Sequence, residues 1–282
     1  MGSKTGLVLE GGAMRGMFTT GVLDTFLDNE IAFDGVVGVS AGALFGVNYV
    51  SRQKGRALRY NKRFNGMPNY MGIRPLLKEG NIVSTEFAYE RVPRSLDPFD
   101  NETFMASPVE FYAVMTDAFT GKPVYEKITD VFEQMDTLRA SGSMPMVSKP
   151  VPIKGRSYLD GGISDSIPYQ WMADQGYDKI VVVLTRDINY EKKPFSKAMA
   201  KVFLRKYPKI AECMLKRHEE YNRSVARLRA LEKEGKVFVI RPAEPITISK
   251  MEKDPDKLQQ VYDLGCRNCK RQLEALKAFL NA

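Results

Sequence analysis

The pattern of apolar and polar positions predicts strands that alternate with helices. The first apolar run, TGLVLE at 5–10, is followed by the glycine cluster GGAMRG and by MFTTGVLDTFLDNE, an amphipathic run that we interpret as a helix. A second run, FDGVVGV, leads into Ser40 and is followed by AGALFGVNYVS, which is also predicted to be helical. Both segments have the order strand, tight corner and helix that begins a βα unit.

Three more strands are predicted further along, at 109–117, 179–185 and 236–242, with a helix at about 129–141. The run KIVVVLT at 179–185 is apolar throughout, as expected for a strand that is covered on both faces. Strands that alternate with helices favour an α/β fold of three layers, in which helices flank a mainly parallel central sheet.

The same pattern divides the chain into a core, an insertion and an extension. We predict an α/β domain over 5–190 and a mostly helical extension over 191–282 that packs on it. Residues 60–108 are rich in Gly, Pro and Asn and have no sustained period, which predicts an irregular insertion of loops and short helices. Long irregular segments of α/β folds often cover ligand pockets, so the insertion is expected to form a pocket wall or lid.

Composition narrows the classes of protein. The chain has 282 residues, of which 44% are apolar, but no unbroken apolar run has the length of a membrane span and the first residues lack a signal-peptide pattern. The expected location is therefore the cytoplasm. Three cysteines are too few for a disulfide framework, and the pair Cys266 and Cys269 lacks the second ligand pair of a zinc site. We predict no metal.

The net charge of +8 is concentrated in one region, because residues 186–241 hold 16 Lys and Arg against 7 Asp and Glu. A solvated helical face explains such a region, and so does attraction to an anionic partner. Peripheral contact with an anionic membrane through 195–241 is one expectation. The segment 195–206 would present apolar residues beside Lys197, Lys201 and Arg205, the apolar set being Phe195, Met199, Val202 and Phe203.

Ser40 lies at the centre of a G-x-S-x-G motif, in which Gly38 and Gly42 flank the serine where a strand ends and a helix begins. This corner holds the serine in a strained conformation and leaves no room for side chains two positions away, so glycine is needed at both. The N–H of Ala41 at the start of the helix can donate to an oxyanion. The motif therefore favours a nucleophile at Ser40 over a serine that only forms a structural turn.

The glycine cluster at 11–16 has two interpretations. One is a dinucleotide-binding loop, for which Asp34 would supply the acidic residue that binds the ribose. The other is a nest of N–H groups from Gly11, Gly12 and Ala13 that binds the oxyanion of a tetrahedral intermediate, with Arg15 adding charge for a phosphate-bearing substrate. The second interpretation uses the cluster and the serine corner together.

A serine nucleophile needs a general base. The chain has one histidine, His218, in a charged helical stretch where a surface position is expected, although the order Ser, Asp, His matches that of α/β hydrolases. Asp160 is the better candidate because it follows a short strand and precedes Gly161 and Gly162, which permit a sharp turn. A buried carboxylate close to the serine would then act as the base.

These motifs together resemble the patatin-like phospholipase family. The glycine loop that ends in Arg-Gly, the G-x-S-x-G about 25 residues later and the downstream Asp-Gly-Gly occur in the family's order, and the resemblance extends over about 5–185. It implies Ser40 as nucleophile, Asp160 as base and the loop from Gly11 to Gly16 as oxyanion hole, with no metal or other cofactor. The family loop often has three consecutive glycines, whereas here the third is Ala13.

The resemblance implies a lipid acyl hydrolase that cleaves carboxylic esters through a Ser-Asp dyad and an acyl-enzyme, as a phospholipase A, a lysophospholipase-like enzyme or an esterase. Its expected partner is a lipid or another ester. An acyltransferase that uses the same dyad is the alternative enzyme. A dinucleotide-binding or nucleic-acid-binding module is the alternative from another class, but no nucleic acid is expected as a partner.

Overall fold

A mixed sheet forms the centre of the molecule in the computed structural model, which describes residues 3–203 and 205–282. Leu204 and the side chains of Val202 and Phe203, which belong to the proposed interfacial segment, lie outside the described part. The strands in chain order are β1 Thr5–Leu9, β2 Gly35–Val39, β3 Glu110–Asp117, β4 Pro123–Ile128, β5 Val151–Ile153, β6 Arg156–Asp160, β7 Lys179–Val183 and β8 Val237–Ile240.

The helices lie on both faces of this sheet and between its strands. They are α1 Met17–Asp28, α2 Ala41–Val50, α3 Arg56–Phe64, α4 Ile73–Glu79, α5 Asn101–Ala106, α6 Met135–Ser141, α7 Tyr169–Asp174, α8 Lys197–Phe203, α9 Pro208–Lys233, α10 Pro255–Arg271 and α11 Leu273–Asn281. Short 3₁₀ turns span Ala13–Gly16 and Gly161–Ile163, and a π-helical segment spans Glu86–Leu96.

Five strands in the order β3, β2, β1, β7, β8 run parallel to one another. Their side chains alternate between two buried layers, as the two-residue period of a strand requires. In β1, Leu7 and Leu9 pack into the cluster formed with α1, α2 and α10, whereas Val8 packs into the cluster formed with α7 and α9. Burial on both faces explains why these strands are apolar at successive positions.

The antiparallel part of the sheet brings two predicted site segments together. Val39, the last residue of β2, pairs with Val114 of β3, and Asp160, the last residue of β6, pairs with Met115. Because Met115 also pairs with β4 along one edge of β3, β6 must use the edge that β2 occupies. The ends of β2 and β6 therefore meet along the same edge of β3.

The predicted fold class is confirmed, since helices flank a mostly parallel sheet and the C-terminal region is helical. Two details of the prediction were wrong. The helix expected at about 129–141 begins only at Met135, and the antiparallel strands β4 and β5 were not predicted. Among the described residues, no helix offers eighteen successive residues that are apolar enough to cross a membrane.

Candidate active site

Ser40 occupies the one-residue corner between β2 and α2, with φ 55° and ψ −122°. An L-residue rarely adopts this conformation, which costs about 1–3 kcal/mol and persists only where the surrounding structure imposes it. Tight packing imposes it here, because a Cβ atom at Gly42 would lie 2.4 Å from the carbonyl oxygen of Leu9. The N–H of Ser40 donates to Ser141 Oγ over 2.9 Å.

Asp160 ends β6 and is 5% exposed. Its Oδ1 accepts a hydrogen bond from the N–H of Gly162 over 2.8 Å, and its own N–H donates to the carbonyl of Ser143. Burial raises the pKa of the carboxyl above its ordinary value, while the Ser40 hydroxyl, the charge of Arg217 and the Gly162 N–H act in the opposite direction. The carboxylate is therefore desolvated and close enough to the Ser40 hydroxyl for that group to lower its pKa.

The glycine loop that follows β1 packs directly on the serine corner. A Cβ atom at Gly11 would lie 2.8 Å from Ser40 Cβ, and one at Gly12 would lie 2.6 Å from Thr185 Oγ1. Ala13 has φ 50°, so the loop keeps a left-handed turn although this residue is not glycine. In the described part of the chain, no acceptor binds the amide hydrogens of Gly11, Gly12, Ala13 or Ala41. These free donors surround Ser40.

The remaining motif glycines mark close contacts within the same structure. An added Cβ atom would lie 2.6 Å or less from backbone atoms at Gly38 and Gly161, 2.8 Å from the ring of Phe45 at Gly16 and 2.9 Å from Arg217 at Gly162. Arg15, the other residue of the loop motif, lines a cavity beside Ser40. The structure thus brings all of the predicted site residues together around the ends of β1, β2 and β6.

A buried carboxylate beneath the glycine loop was not predicted. Glu10 is 4% exposed and accepts hydrogen bonds from the N–H of Thr185 over 2.6 Å and from the Tyr221 hydroxyl over 2.7 Å. Thr185 Oγ1 also donates to the carbonyl of Gly11. These bonds tie the loop to β7 and α9 and so hold its amide groups in place. A charged residue at the end of an apolar strand was the only signal in the sequence.

Ser40 lies where two cavities of different chemistry meet. The first has about 1250 Å³ of empty space, part of it open to solvent, and is lined mainly by apolar and aromatic side chains from α2, α3, α6 and the 60–108 insertion. The second has about 720 Å³ of empty space, also partly open to solvent. It holds Asp160 and the glycine loop and is lined by five cationic side chains. Four residues line both cavities: Ala13, Ser40, Met144 and Lys250.

Insertion 60–108 contributes much of the wall of the apolar cavity. It is more helical than predicted, since α4, the π-helical segment and α5 account for much of it. From the π-helical segment, Ala88, Tyr89, Val92 and Pro93 line the cavity. Burial raises the pKa of the Tyr89 hydroxyl, so this side chain stays neutral.

Other candidates from the sequence lie away from Ser40. His218 is on α9, its Nε2 is 3.8 Å from Glu219 Oε1, and it lines neither cavity. Asp34 precedes β2 and accepts hydrogen bonds from Thr5 at the amino edge of the sheet, whereas the glycine loop follows β1 at the carboxyl edge. A dinucleotide on the loop would therefore be at the opposite edge from this carboxylate.

The three cysteines are separate from the site. The Cys213 and Cys266 thiols donate to the carbonyl oxygens of Gly121 and Gly21, and Cys269 is buried in the layer beside α1. Burial raises the pKa of all three thiols, which keeps them protonated and unreactive. Their surroundings are those of packing residues.

Two family models match the chain. The model described as patatin-like phospholipase matches residues 7–171, which include the glycine loop, Ser40 and Asp160. The model for a domain of unknown function, DUF6363, matches residues 207–281. The matched ranges follow one another along the chain without overlap.

Similar proteins cover part of the same region. The chain is 32% identical to the uncharacterized protein YjjU of Escherichia coli over 187 residues, which cover 64% of this chain and 52% of YjjU. Lysophospholipase nte1 of Aspergillus fumigatus is 29% identical over 187 residues, which cover 64% of this chain and 12% of that protein. The structure of VipD from Legionella pneumophila aligns with a TM-score of 0.48 at 13% identity, over 97% of this chain and 67% of that one. The chain thus spans about half the length of YjjU and a small part of nte1.

Proposed function

The chain belongs to the patatin-like phospholipase family, and we propose that it hydrolyses carboxylic esters of lipids through Ser40 and Asp160. The observation that carries the proposal is the position of Ser40, between a large apolar cavity and the buried carboxylate of Asp160. The apolar cavity suits an acyl chain, and its junction with the polar cavity suits the ester group. The similarity to nte1, a protein named as a lysophospholipase, supports this class of substrate.

In the first half of the proposed reaction, Ser40 Oγ attacks the ester carbonyl carbon while Asp160 takes the hydroxyl proton. The tetrahedral intermediate then collapses, the bond from carbon to the alkoxide oxygen breaks, and Asp160 returns the proton to the leaving alcohol. The acyl group remains on Ser40. In the second half, Asp160 takes a proton from water as the water attacks the acyl carbon. The bond from this carbon to Ser40 Oγ then breaks, Asp160 returns the proton to Ser40 Oγ, and the fatty acid leaves.

The negative charge on the carbonyl oxygen needs donors that are already oriented. Gly11, Gly12 and Ala13 provide amide groups from the loop, and Ala41 provides one from the first residue of α2. The start of α2 adds the partial positive charge of a helix N-terminus. The bonds that Glu10 makes hold the loop before substrate arrives, so little reorganisation is required during the reaction.

The experiment is hydrolysis of a neutral short-chain p-nitrophenyl ester and of a monoacylglycerol by purified protein. Ser40→Ala and Asp160→Asn are each expected to lower kcat by about 1000-fold or more, because each removes one half of the proton transfer. His218→Ala, which changes a residue outside both cavities, should retain the rate of the unaltered protein. If Asp160→Asn kept its full activity, Asp160 would not be the general base and the proposed dyad would be wrong.

The same assay separates hydrolysis from acyl transfer. An acyltransferase would pass the acyl group from Ser40 to an added alcohol such as a lysolipid, so the acylated alcohol would accumulate in place of free fatty acid. We expect free fatty acid as the main product even when the alcohol is present. If the acylated alcohol were the main product, the protein would be an acyltransferase that uses the same two residues, and the proposed hydrolase would be wrong.

A further inference from the structure

Five cationic side chains from separate parts of the chain converge on the second cavity. Arg15 comes from the 3₁₀ turn before α1, Arg186 and Lys192 from the segment that follows β7, Arg217 from α9 and Lys250 from the segment between β8 and α10. We call this set the cationic cluster. Three of its members belong to the basic 186–241 region, so part of that positive charge faces the active-site cavity.

The cluster has far more positive than negative charge. The carboxylates that line the same cavity are Glu10 and Asp160, and Glu10 already binds Thr185 and Tyr221. Within the part of the chain that the structure describes, no carboxylate oxygen lies within 4.0 Å of a nitrogen of any cluster member. Like charges held close together repel one another, so this arrangement lowers the stability of the folded protein when no anion is bound.

Two guanidinium nitrogens of the cluster are also left without a partner. Arg15 Nε and Arg217 Nε are both fully buried and have no hydrogen-bond acceptor among the described residues. Arg217 Nη2 makes only a long contact of 3.5 Å with Ser166 Oγ. Buried N–H groups of charged side chains nearly always find an acceptor, so these two guanidinium groups have hydrogen-bonding capacity that the described residues do not use.

The electrostatics of Lys192 favour an anion-binding site. Burial and the positive charges of Arg217, Arg186 and Arg15 lower the pKa of its ammonium group to about 7, although Glu10 acts in the opposite direction. Lys192 Nζ lies 4.1 Å from the centre of the Tyr221 ring. A bound anion would raise this pKa again, because it would offset the repulsion from the neighbouring arginines.

We propose that the cationic cluster binds a phosphate group, carried by the head of the lipid whose ester is cleaved at Ser40. The two cavities meet at Ser40, so a lipid with its acyl chain in the apolar cavity would place its head group in the cationic one. A phosphate monoester carries close to two negative charges and three acceptor oxygens, which suits several converging cations better than a carboxylate does. Guanidinium groups bind two phosphate oxygens at once.

This inference rests on the proposed function and assigns its substrate an anionic head group. A zwitterionic choline head would bring a quaternary ammonium among these cations, and an uncharged glycerol head would leave them unneutralised. We therefore expect a preference for a phosphomonoester lysolipid over a monoacylglycerol and over a choline lysolipid of the same acyl chain. A preference of about tenfold or more in kcat/KM corresponds to about 1.4 kcal/mol of transition-state binding.

The experiment compares hydrolysis of 1-acylglycerol 3-phosphate, the choline lysolipid and monoacylglycerol by the full chain. The double variant Arg186→Gln/Lys192→Met is expected to lose the preference for the phosphate lipid by about tenfold or more, chiefly through KM. The double variant Lys122→Gln/Lys154→Gln, which removes two charges at exposed positions outside both cavities and outside 195–241, is the matched control and should retain both constants. Binding of the phosphate lipid to Ser40→Ala gives an activity-independent measure of the same contacts.

The outcomes separate this inference from the proposed function. If no lipid ester is cleaved, the hydrolase itself is wrong. If all three lipids are cleaved at the same efficiency, the hydrolase stands and the head-group site is wrong. Inorganic phosphate provides a further arm, and it should compete with the phosphate lipid and bind the double variant more weakly. Phosphate that binds tightly without competing would overturn the head-group assignment and make free phosphate the ligand.

Discussion

Asp160 takes the position on β3 that Ser40 would occupy if β2 continued for one more residue. Val39 pairs with Val114, and the next residue of β3, Met115, pairs with Asp160. The corner at Ser40 turns β2 away from the sheet, and β6 arrives from the opposite direction to end at the vacated position. The sheet thus brings together two residues that are separated by 120 positions in the sequence.

The raised pKa of Asp160 leads to a prediction about the acid limb of activity. The base must be ionised, so activity is lost as the pH falls through its pKa, and burial places that loss above the ordinary carboxyl range. Arg217→Gln removes a positive charge that lowers this pKa, so the acid limb should move to higher pH. The measurement is the pH profile of kcat/KM with a neutral p-nitrophenyl ester.

Arg223→Gln serves as the control for this profile, because it removes the same charge at an exposed position of the same helix. Its acid limb should coincide with that of the unaltered protein. A limb that stays in place in Arg217→Gln would mean that another group controls the rate at acidic pH.

The strained backbone at Ser40 predicts a difference between two inactive variants. Ser40→Ala and Ser40→Gly both remove the hydroxyl, but only glycine adopts φ 55° and ψ −122° without steric cost. After allowance for the greater freedom of glycine in the unfolded chain, we expect Ser40→Gly to exceed Ser40→Ala by about 1 kcal/mol in free energy of unfolding. Denaturant titration of both proteins measures it, and equal stabilities would argue against strain at this corner.

The contact between the glycine loop and the nucleophile predicts a loss of activity in Gly11→Ala. The new Cβ atom would lie 2.8 Å from Ser40 Cβ and 2.9 Å from the carbonyl oxygen of Val39, so the loop and the serine would be pushed apart. We expect kcat to fall by about 100-fold, because a small displacement of reacting groups has this effect.

Gly66→Ala is the matched control for this change. A Cβ atom at Gly66 would meet nothing within 4 Å, and the position lies outside both cavities. Its activity on the neutral ester should equal that of the unaltered protein. If Gly11→Ala kept its full activity, the glycine loop would not be part of the oxyanion hole.

Contact with an anionic membrane through 195–241 remains a prediction with its own test. Lys197, Lys201 and Arg205 are exposed, and Met199 is 41% exposed, whereas Phe195 packs against the cluster around Ile210. Changing these three cations to Gln should weaken co-sedimentation with vesicles that contain anionic phospholipid, since each nearby cation contributes about 1 kcal/mol.

The control replaces three exposed lysines elsewhere, Lys122, Lys154 and Lys270, by Gln and so makes the same change in net charge. It should keep most of the binding to anionic vesicles. An equal loss in both triple variants would mean that net charge, and not this segment, causes the association.

The elements that could be predicted are those whose own residues determine their structure. The apolar strands around Leu7 and Val181 are buried on both faces, so each reads as a continuous apolar run that can be recognised without a partner. Strands β4 and β5 are short, partly exposed and antiparallel, and their positions depend on pairing with β3 and β6. The π-helical segment Glu86–Leu96 lacks the 3.6-residue period and contains Pro93, so its sequence resembles a loop.

The candidate site also has some features that the local sequence determines and others that depend on tertiary structure. The sequence alone determined which residues sit at sharp corners, because glycine spacing around Ser40, in GGAMRG and after Asp160 is a local steric requirement. Only the tertiary structure decided that the corners at Ser40 and Asp160 meet along one edge of β3, that Glu10 supports the glycine loop, and that five cations from four chain segments face one cavity. Such convergence depends on strand register and helix packing between distant segments, so it cannot be predicted from any local pattern of residues.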